Sequence, residues 1–446
     1  ASTPLLLLAG QINRPALGKN QGVLHEVTEQ LDLFRPITKW VKRVMEVSDI
    51  PDSLQEAMRQ LTTGRPRPVE VEIPFDLWAE KADVEIKPRE AEKEEPLNRT
   101  QIKEAAALLS KAERPLIWSG GGVITADASE ELTRLAEQVN APVLMTPEGK
   151  GAMDARHPLA ALNVPYPVNT ILQQADLIIC LGSRFFPRFR VKENGPGTPR
   201  FIQIDIDPEE VGRNWKPDLG IVADVRPALA ALLEELPETG SSRWEAAEIK
   251  EFNTAIMARL EEAIPVQTAI LRDIRAELDD DSIVIPGVTN LGYWAHEIYP
   301  VYKPRTYLTS SYFVTLGYVF PTALGAKLGN PDKQVVALSG DGGFLFTSSD
   351  LATAVQYGIN VVTIIFNDNV YGATYRIQQN NYESRYIGTE LVNPDFAAYA
   401  ESFGARGIKL PDHKDLRGAL RSALAEKGPV VIEVPTPNMP TPWEVL

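Results

Sequence analysis

The chain has 446 residues, a formal net charge of −15 and a hydrophobic fraction of 44%, which is enough for about three domains of the usual ~150 residues. Its acidic balance argues against nucleic acid or an anionic membrane surface as the main partner, and favours a small molecule or another protein. No apolar run approaches the ~18 residues that span a bilayer, and no signal peptide is recognisable, so we expect a cytoplasmic protein.

The first block, residues 1–78, alternates strand and helix patterns. The run "TPLLLLAGQ" predicts a strand, "IPDSLQEAMRQLTTG" a helix ended by Gly64, and "RPVEVEIPFDLW" a second strand. This is about half of a doubly wound sheet. Residues 79–99 are charged and lack an apolar period, which is typical of a solvated linker.

The second block, residues 100–233, holds four apolar runs, "PLIWSGGGV", "APVLMTP", "ADLIICLGS" and "RFIQIDID", with helical stretches such as "ASEELTRLAEQVN" between them. Uniformly apolar strands that alternate with helices predict a parallel sheet covered on both faces. The single cysteine, Cys180, lies in one of these strands, so we interpret it as a core residue and exclude a disulfide framework. Residues 234–264 are predicted to form a linker followed by a helix.

The third block, residues 265–446, repeats the alternation with the strand patterns "DSIVIPG", "TYLTSS", "QVVALSG", "NVVTIIFN" and "GPVVIEV". We therefore predict an α/β protein with three doubly wound parallel-sheet domains, the first of them incomplete.

Two polar clusters follow neighbouring strand patterns of the third block. Asp341 ends "VVALSGD", and Asp368 lies in the Asn-Asp-Asn triplet after "VVTIIF". The residues between them predict one helix with Leu351 and Val355 facing inward and Ala354 facing outward. A right-handed crossover of this kind places the two carboxylates side by side at one sheet edge.

The residues around Asp341 suit a bound phosphate. Gly340, Gly342 and Gly343 allow backbone amides to approach an anion at a helix start, and carboxylates suit Mg²⁺, which completes its octahedron with phosphate oxygens and water. The alternative interpretation is that these are turn glycines and strand-end Asx residues of an ordinary α/β fold.

The segment from Gly340 to Asp368 resembles the thiamine diphosphate motif, in which Gly-Asp-Gly precedes a polar pair by about two dozen residues. The surrounding sequence, including "SGGGV", "IDIDPEEVG", "LGYVFPTALGAKLG" and "FAAYAESFGA", resembles the acetolactate synthase and benzaldehyde lyase group over essentially the whole chain. The resemblance implies a lyase or transferase that uses thiamine diphosphate and Mg²⁺ to make or break carbon–carbon bonds, as a carboligase or decarboxylase of 2-oxo acids or aldehydes.

The resemblance also implies roles for individual residues. Asp341, Asp368 and the carbonyl of Val370 would ligate Mg²⁺, although many relatives have asparagine where Asp368 stands. Leu316 would support the bent shape of the cofactor, and Gln11 and His25 would face the substrate as catalytic groups. The implied cofactor contacts are Asn290, Leu291, Leu316, Gly340, Asp341, Gly342, Gly343, Asp368, Val370, Tyr371 and Gly372.

The first block resembles only the later half of the family's pyrimidine-binding domain. The glutamate that protonates the cofactor ring in relatives has no counterpart here, and Glu26 aligns with a different position. We expect the working protein to obtain this part from a further N-terminal segment or from a separate subunit. Because the family builds each site between two chains, we also expect a homodimer or homotetramer.

The central block contains residues that could bind a second cofactor. Its "WSGGG" turn, with Asp205 or Asp207 after a later strand, could hold a nucleotide, and acetolactate synthases bind FAD in the corresponding domain. The glycine pattern is not GxGxxG, so a structural remnant is the favoured interpretation.

Two alternatives to a carboligase or decarboxylase function remain open. They are a non-catalytic or regulatory homologue and a flavin-linked oxidase of the pyruvate type.

Overall fold

A computed structural model describes residues 2–88, 96–165, 170–185, 197–238, 241–310 and 312–446. The chain divides into two compact units, residues 1–96 and 97–446. The first unit holds one sheet and the second unit holds two, and neighbouring strands run parallel in all three. The predicted α/β class with three parallel sheets is confirmed.

The first unit is a three-stranded sheet with the order β1-β3-β2. Its long helix packs Ala57 and Leu61 against Val69 and Val71 of the central strand. The edge strand "WVKR", which is β2, was not predicted because it is short and half charged. The strands are β1 (Leu6–Gln11), β2 (Trp40–Arg43) and β3 (Val69–Pro74), and the helices are α1 (Gln30–Phe34) and α2 (Ile50–Thr62).

The central sheet has six strands in the order β6-β5-β4-β7-β8-β9. The four predicted strands are confirmed, and Cys180 is fully buried as expected. The strands are β4 (Pro115–Ser119), β5 (Val143–Met145), β6 (Ala160–Ala161), β7 (Leu177–Leu181), β8 (Arg200–Asp205) and β9 (Leu219–Val222). The helices around it are α3 (Arg99–Leu109), α4 (Gly121–Thr125), α5 (Ser129–Val139), α6 (Thr170–Gln174) and α7 (Val225–Glu235).

The third sheet has five strands in the order β10-β11-β12-β14-β13. The pattern "TYLTSS" was wrong as a strand, since Tyr307 makes only an isolated bridge to Val284. The strands are β10 (Ile283–Pro286), β11 (Val335–Gly340), β12 (Val362–Asn367), β13 (Arg406–Lys409) and β14 (Val430–Pro435).

Ten helices accompany this sheet among the described residues, and the predicted long helix before it is confirmed as α8. They are α8 (Ala246–Ala263), α9 (Pro265–Glu277), α10 (Asn290–Ile298), α11 (Val319–Gly329), α12 (Asp341–Leu345), α13 (Leu351–Gln356), α14 (Gly372–Asn381), α15 (Phe396–Ser402), α16 (Leu416–Leu424) and α17 (Pro442–Val445). None of the helices in the described part of the chain is long and apolar enough to cross a membrane.

The connection from β11 to β12 differs from the prediction of one helix. It consists of α12 and α13 with a 3₁₀ turn between them at Ser348–Asp350. Ala354 was predicted to face outward but is fully buried, because it lies three residues after Leu351 and therefore on the same helix face. The crossover still joins adjacent parallel strands, so the carboxyl ends of β10, β11 and β12 meet at one edge.

Candidate functional site

Two acidic side chains lie at the carboxyl ends of β11 and β12. Asp341 is the first residue of α12 and only 3% of it is exposed. Its Oδ2 accepts a hydrogen bond from the backbone amide of Asn369, at 2.9 Å. Asp368 follows the last residue of β12 and lies close enough for the two carboxylates to repel each other. The predicted juxtaposition of the two strand ends is therefore present.

The surroundings of both carboxyl groups disfavour the ionised form, so both pKa values are raised. Burial raises the pKa of Asp341, although hydrogen bonds from the Gly342 amide, Asn393 and the Asn369 amide oppose that rise. Burial and then repulsion from Asp341 raise the pKa of Asp368 to about 6. A cation placed between the two groups would relieve both effects, since an opposite charge favours the ionised form.

The residues after Asp368 form a short antiparallel bridge, in which Val370 lies opposite Glu390. Its hydrogen bonds are made by the flanking residues, from the Tyr371 amide to the Thr389 carbonyl and from the Leu391 amide to the Asn369 carbonyl, each at 2.8 Å. The carbonyl of Val370 is thus not used by the bridge.

Among the residues that the structure describes, no cluster of three or more His, Cys, Asp or Glu side chains could hold a metal ion. A cation at this edge would therefore need the two carboxylates together with a backbone carbonyl and ligands from outside the chain. Mg²⁺ is bound in this way when phosphate oxygens and water complete its octahedron.

Gly342 leaves room for a neighbouring ring. A Cβ at this position would lie 2.5 Å from Cε1 of Tyr371 and 3.0 Å from Cδ1 of Leu391. Gly343 is different, because an added Cβ would make an ordinary contact, 3.8 Å from Cδ2 of Leu316. Leu316 is therefore close to the Gly343 end of the site, although it precedes α11 in the chain.

The start of α10 lies beside Gly340, since a Cβ there would be 3.2 Å from Thr289. Leu291 is fully buried. The side-chain nitrogen Nδ2 of Asn290 donates to the backbone carbonyls of Met439 and Pro440, at 2.8 and 3.1 Å. The Asn290 side chain is thus turned to the C-terminal segment, and its backbone is the part placed at the strand edge.

Two residues at this edge were missed by the sequence reasoning. Asn393 donates to Asp341 Oδ2 at 2.6 Å, and Glu433, on β14, accepts from the side chain of Asn367 at 2.9 Å. Asn393 stands in a loop, and the one local signal was its place before Pro394 at a helix start. Glu433 resembles any other acidic residue of an alternating strand, so only the pairing of β14 with β12 reveals it.

Gln11 and His25 lie in the first unit. Gln11 is buried and donates from Nε2 to Oε1 of Glu72, at 3.1 Å. Its Oε1 accepts from the Ile12 amide at 2.7 Å, so both ends of the side chain have partners within this unit. His25 is exposed and has a left-handed backbone, with φ of 67°.

The glycine turn of the central sheet is explained by packing. A Cβ on Gly120 would lie 2.3 Å from the carbonyl oxygen of Gly182, so the turns after β4 and β7 touch through their backbones. Asp205 and Asp207 accept hydrogen bonds from the amides two residues later, each at 3.0 Å. These contacts give the glycines and both aspartates a role in local packing, and the structural remnant remains a prediction.

Comparison with protein families identifies the class to which this fold and site belong. The family described as "Thiamine pyrophosphate enzyme, C-terminal TPP binding domain" matches residues 287–434, which include both carboxylates. The family described as "Thiamine pyrophosphate enzyme, central domain" matches residues 102–232. The protein is an enzyme of the thiamine pyrophosphate class; this cofactor is the same compound as thiamine diphosphate.

Similarity to individual relatives identifies a family within this class. The chain is 33% identical to the probable acetolactate synthase large subunit of Methanocaldococcus jannaschii, over 97% of this chain and 77% of that protein. It is also 33% identical to the Corynebacterium glutamicum large subunit, with 97% and 72% covered. For isozyme 1 of Escherichia coli the identity is 31%, with 97% and 78% covered. The chain belongs to the acetolactate synthase large-subunit family.

Proposed function

We propose that the protein is a carboligase that uses thiamine diphosphate and Mg²⁺ to join the acyl part of one 2-oxo acid to the carbonyl of a second 2-oxo acid or an aldehyde. The observation that carries the proposal is the pair of carboxylates at adjacent strand ends inside the matched TPP-binding domain, with Asp341 buried and Asp368 half-buried. The names of the relatives support acetolactate synthase chemistry in particular.

The metal would be held by Asp341 and Asp368 together with the carbonyl of Val370. Burial raises the pKa of both carboxyl groups, and repulsion from Asp341 raises that of Asp368 further. A divalent cation would remove that repulsion. Hard oxygen ligands of this kind favour Mg²⁺ over softer metals. The diphosphate of the cofactor would supply further oxygens from outside the chain.

The rest of the cofactor would lie against the glycine segment and the apolar residue beside it. Backbone amides of Gly342 and Gly343 would face the diphosphate, since neither residue has a side chain that would intervene. Leu316, which packs beside Gly343, would hold the two rings of the cofactor in a bent arrangement. When bound, the cofactor supplies the carbon nucleophile and the electron sink of the reaction.

Gln11 and His25 are proposed to act on the substrate side. A histidine side chain can act as a general acid or base, and the exposed His25 is accessible for this role in the first unit. Gln11 would contribute indirectly, because its buried hydrogen bond to Glu72 fixes the end of β1, the strand that precedes His25 in the chain.

We further propose that the active protein is a homodimer or homotetramer.

The proposal is tested with the natively expressed protein, thiamine diphosphate, Mg²⁺ and pyruvate. We expect cofactor-dependent and metal-dependent pyruvate consumption with acetolactate as product. Asp341→Ala should lose the turnover and the metal-dependent cofactor binding. The matched control is Asp332→Ala, which changes an exposed aspartate of the same unit and should keep both.

Three other results would contradict the proposal in different ways. Metal-dependent cofactor binding without turnover of any 2-oxo acid would indicate a non-catalytic homologue. Visible flavin absorbance with oxygen-dependent pyruvate oxidation would indicate the oxidase alternative. Failure to bind thiamine diphosphate with Mg²⁺ would remove the role assigned to Asp341 and Asp368.

A further inference from the structure

Asn393 occupies a fixed point of the loop between α14 and α15. It precedes Pro394, which biases its backbone toward the extended region, and Asp395 then caps α15 by accepting from the Ala398 amide at 3.0 Å. The loop is therefore anchored on its C-terminal side. The side chain of Asn393 points from this anchor to the edge where β11 and β12 end.

One nitrogen of Asn393 contacts three oxygens from two neighbouring segments. Its Nδ2 lies 2.6 Å from Asp341 Oδ2, 2.9 Å from Asn367 Oδ1 and 3.2 Å from Asn369 Oδ1. An amide group has two protons to donate, and the short contact with a carboxylate is the strongest type among the three. The amide thus joins the end of β11 to the end of β12.

The orientation of this amide follows from its neighbours. Rotation by half a turn would place Oδ1 against three acceptor oxygens, so only the observed orientation is compatible with the ionised carboxylate. In that orientation Oδ1 is buried, and no described residue donates a hydrogen bond to it. The orientation that places the nitrogen of Asn393 against Asp341 therefore leaves its oxygen buried without a hydrogen bond.

These contacts determine how Asp341 and the following loop are placed. Asn393 and the Asn369 amide both bond to Oδ2 of Asp341, which leaves Oδ1 outside this network. Asn393 also holds the side chain of Asn369, whose φ is 58°. That left-handed residue turns the chain between Asp368 and Val370, the other two groups assigned to the metal.

We propose that Asn393 is a positioning residue that orients Asp341 and the 367–370 loop for a divalent cation before the cation binds. The inference rests on the proposed function, because it needs the metal site assigned there. Asn393 itself does not ligate the cation, since its nitrogen is the group that faces the site. Its effect is on the affinity for metal and not on the chemistry of the substrate.

The test measures metal affinity without turnover. Mn²⁺ binding is followed by electron paramagnetic resonance, and the Mg²⁺ concentration for half-maximal thiamine diphosphate binding is followed by tryptophan fluorescence. Asn393→Ala and Asn393→Leu, which removes the amide while keeping a similar size, should each weaken metal affinity by about 10-fold to 100-fold. Cofactor binding should recover at high Mg²⁺. Asn380→Ala, at an exposed asparagine, should match the wild type.

The outcomes separate this inference from the function on which it rests. Wild-type protein that binds no metal together with thiamine diphosphate would overturn the proposed function itself. Wild-type protein that binds both, with unchanged metal affinity in the two Asn393 variants, would overturn the positioning role alone. A merely structural asparagine would lower thermal stability in the metal-free variants and leave the metal affinity of the folded fraction unchanged, so circular dichroism and metal titration are measured on the same samples.

Discussion

Glu70 carries the sharpest prediction about stability. It lies in the central strand β3, between Leu7 of β1 and Val41 of β2, and it is fully buried. Neither of its carboxylate oxygens has a hydrogen-bond partner among the described residues. Burial, and then repulsion from Glu72, raise its pKa from 4.5 to about 7, although Arg43 opposes the rise.

The size and sign of the effect follow from these two values. The folded state holds the proton of Glu70 more tightly than the unfolded chain does, so the free energy of unfolding falls as pH rises from 4.5 through 7. A tenfold change in proton affinity is worth ~1.4 kcal/mol, so the ionised group costs about 3 kcal/mol above pH 8. This is a large part of the ~5–15 kcal/mol by which domains are stable.

The perturbation is Glu70→Gln, which keeps the shape and removes the titration. Urea unfolding is measured between pH 5 and pH 8 on the wild type and the variant. We expect the wild type to lose about 2.5 kcal/mol relative to the variant across this range. Glu85→Gln, at an exposed position, should follow the wild type. A difference between Glu70→Gln and the wild type that stays constant from pH 5 to pH 8 would refute the reasoning.

Three further predictions concern other parts of the fold. Glu277 bonds Arg417 and Arg421, at 2.6 and 2.8 Å, and these hydrogen bonds lower its pKa to about 2; its stabilisation is therefore complete above pH 4.5 and lost as pH falls toward 2. Glu277→Gln should cost about 1 kcal/mol at pH 7 and almost nothing at pH 2, by urea unfolding, and an equal cost at both pH values would contradict this. Gly342→Ala should cost about 1–3 kcal/mol by overpacking against Tyr371 and weaken thiamine diphosphate binding in a fluorescence titration, whereas Gly325→Ala, with open space around it, should do neither. Leu316→Ala should lower kcat by about 10-fold to 100-fold with little change in cofactor affinity, while the exposed Leu328→Ala should not; equal losses in both variants would remove the special role of Leu316.

Sequence by itself predicted the three α/β blocks and the position of the candidate site. Long apolar runs bounded by glycine or polar residues are local signals, and β4, β7, β11 and β12 have them because buried parallel strands are apolar on both faces. The rule that ligands lie beyond the carboxyl ends of strands then selected Asp341 and Asp368. The resemblance added the cofactor, and the comparisons support it.

Tertiary structure alone decided the features that depend on neighbours distant in the chain. The strands β2, β6, β9 and β13 have two to four residues each, too few to show a period, and exist because an adjacent strand pairs with them. Asn393 reaches Asp341 across 52 positions of sequence, and an asparagine before proline looks the same whether or not a carboxylate faces it. The pKa of Glu70 likewise comes from burial, which a single strand pattern does not reveal, because an alternating acidic strand also describes a solvated sheet face.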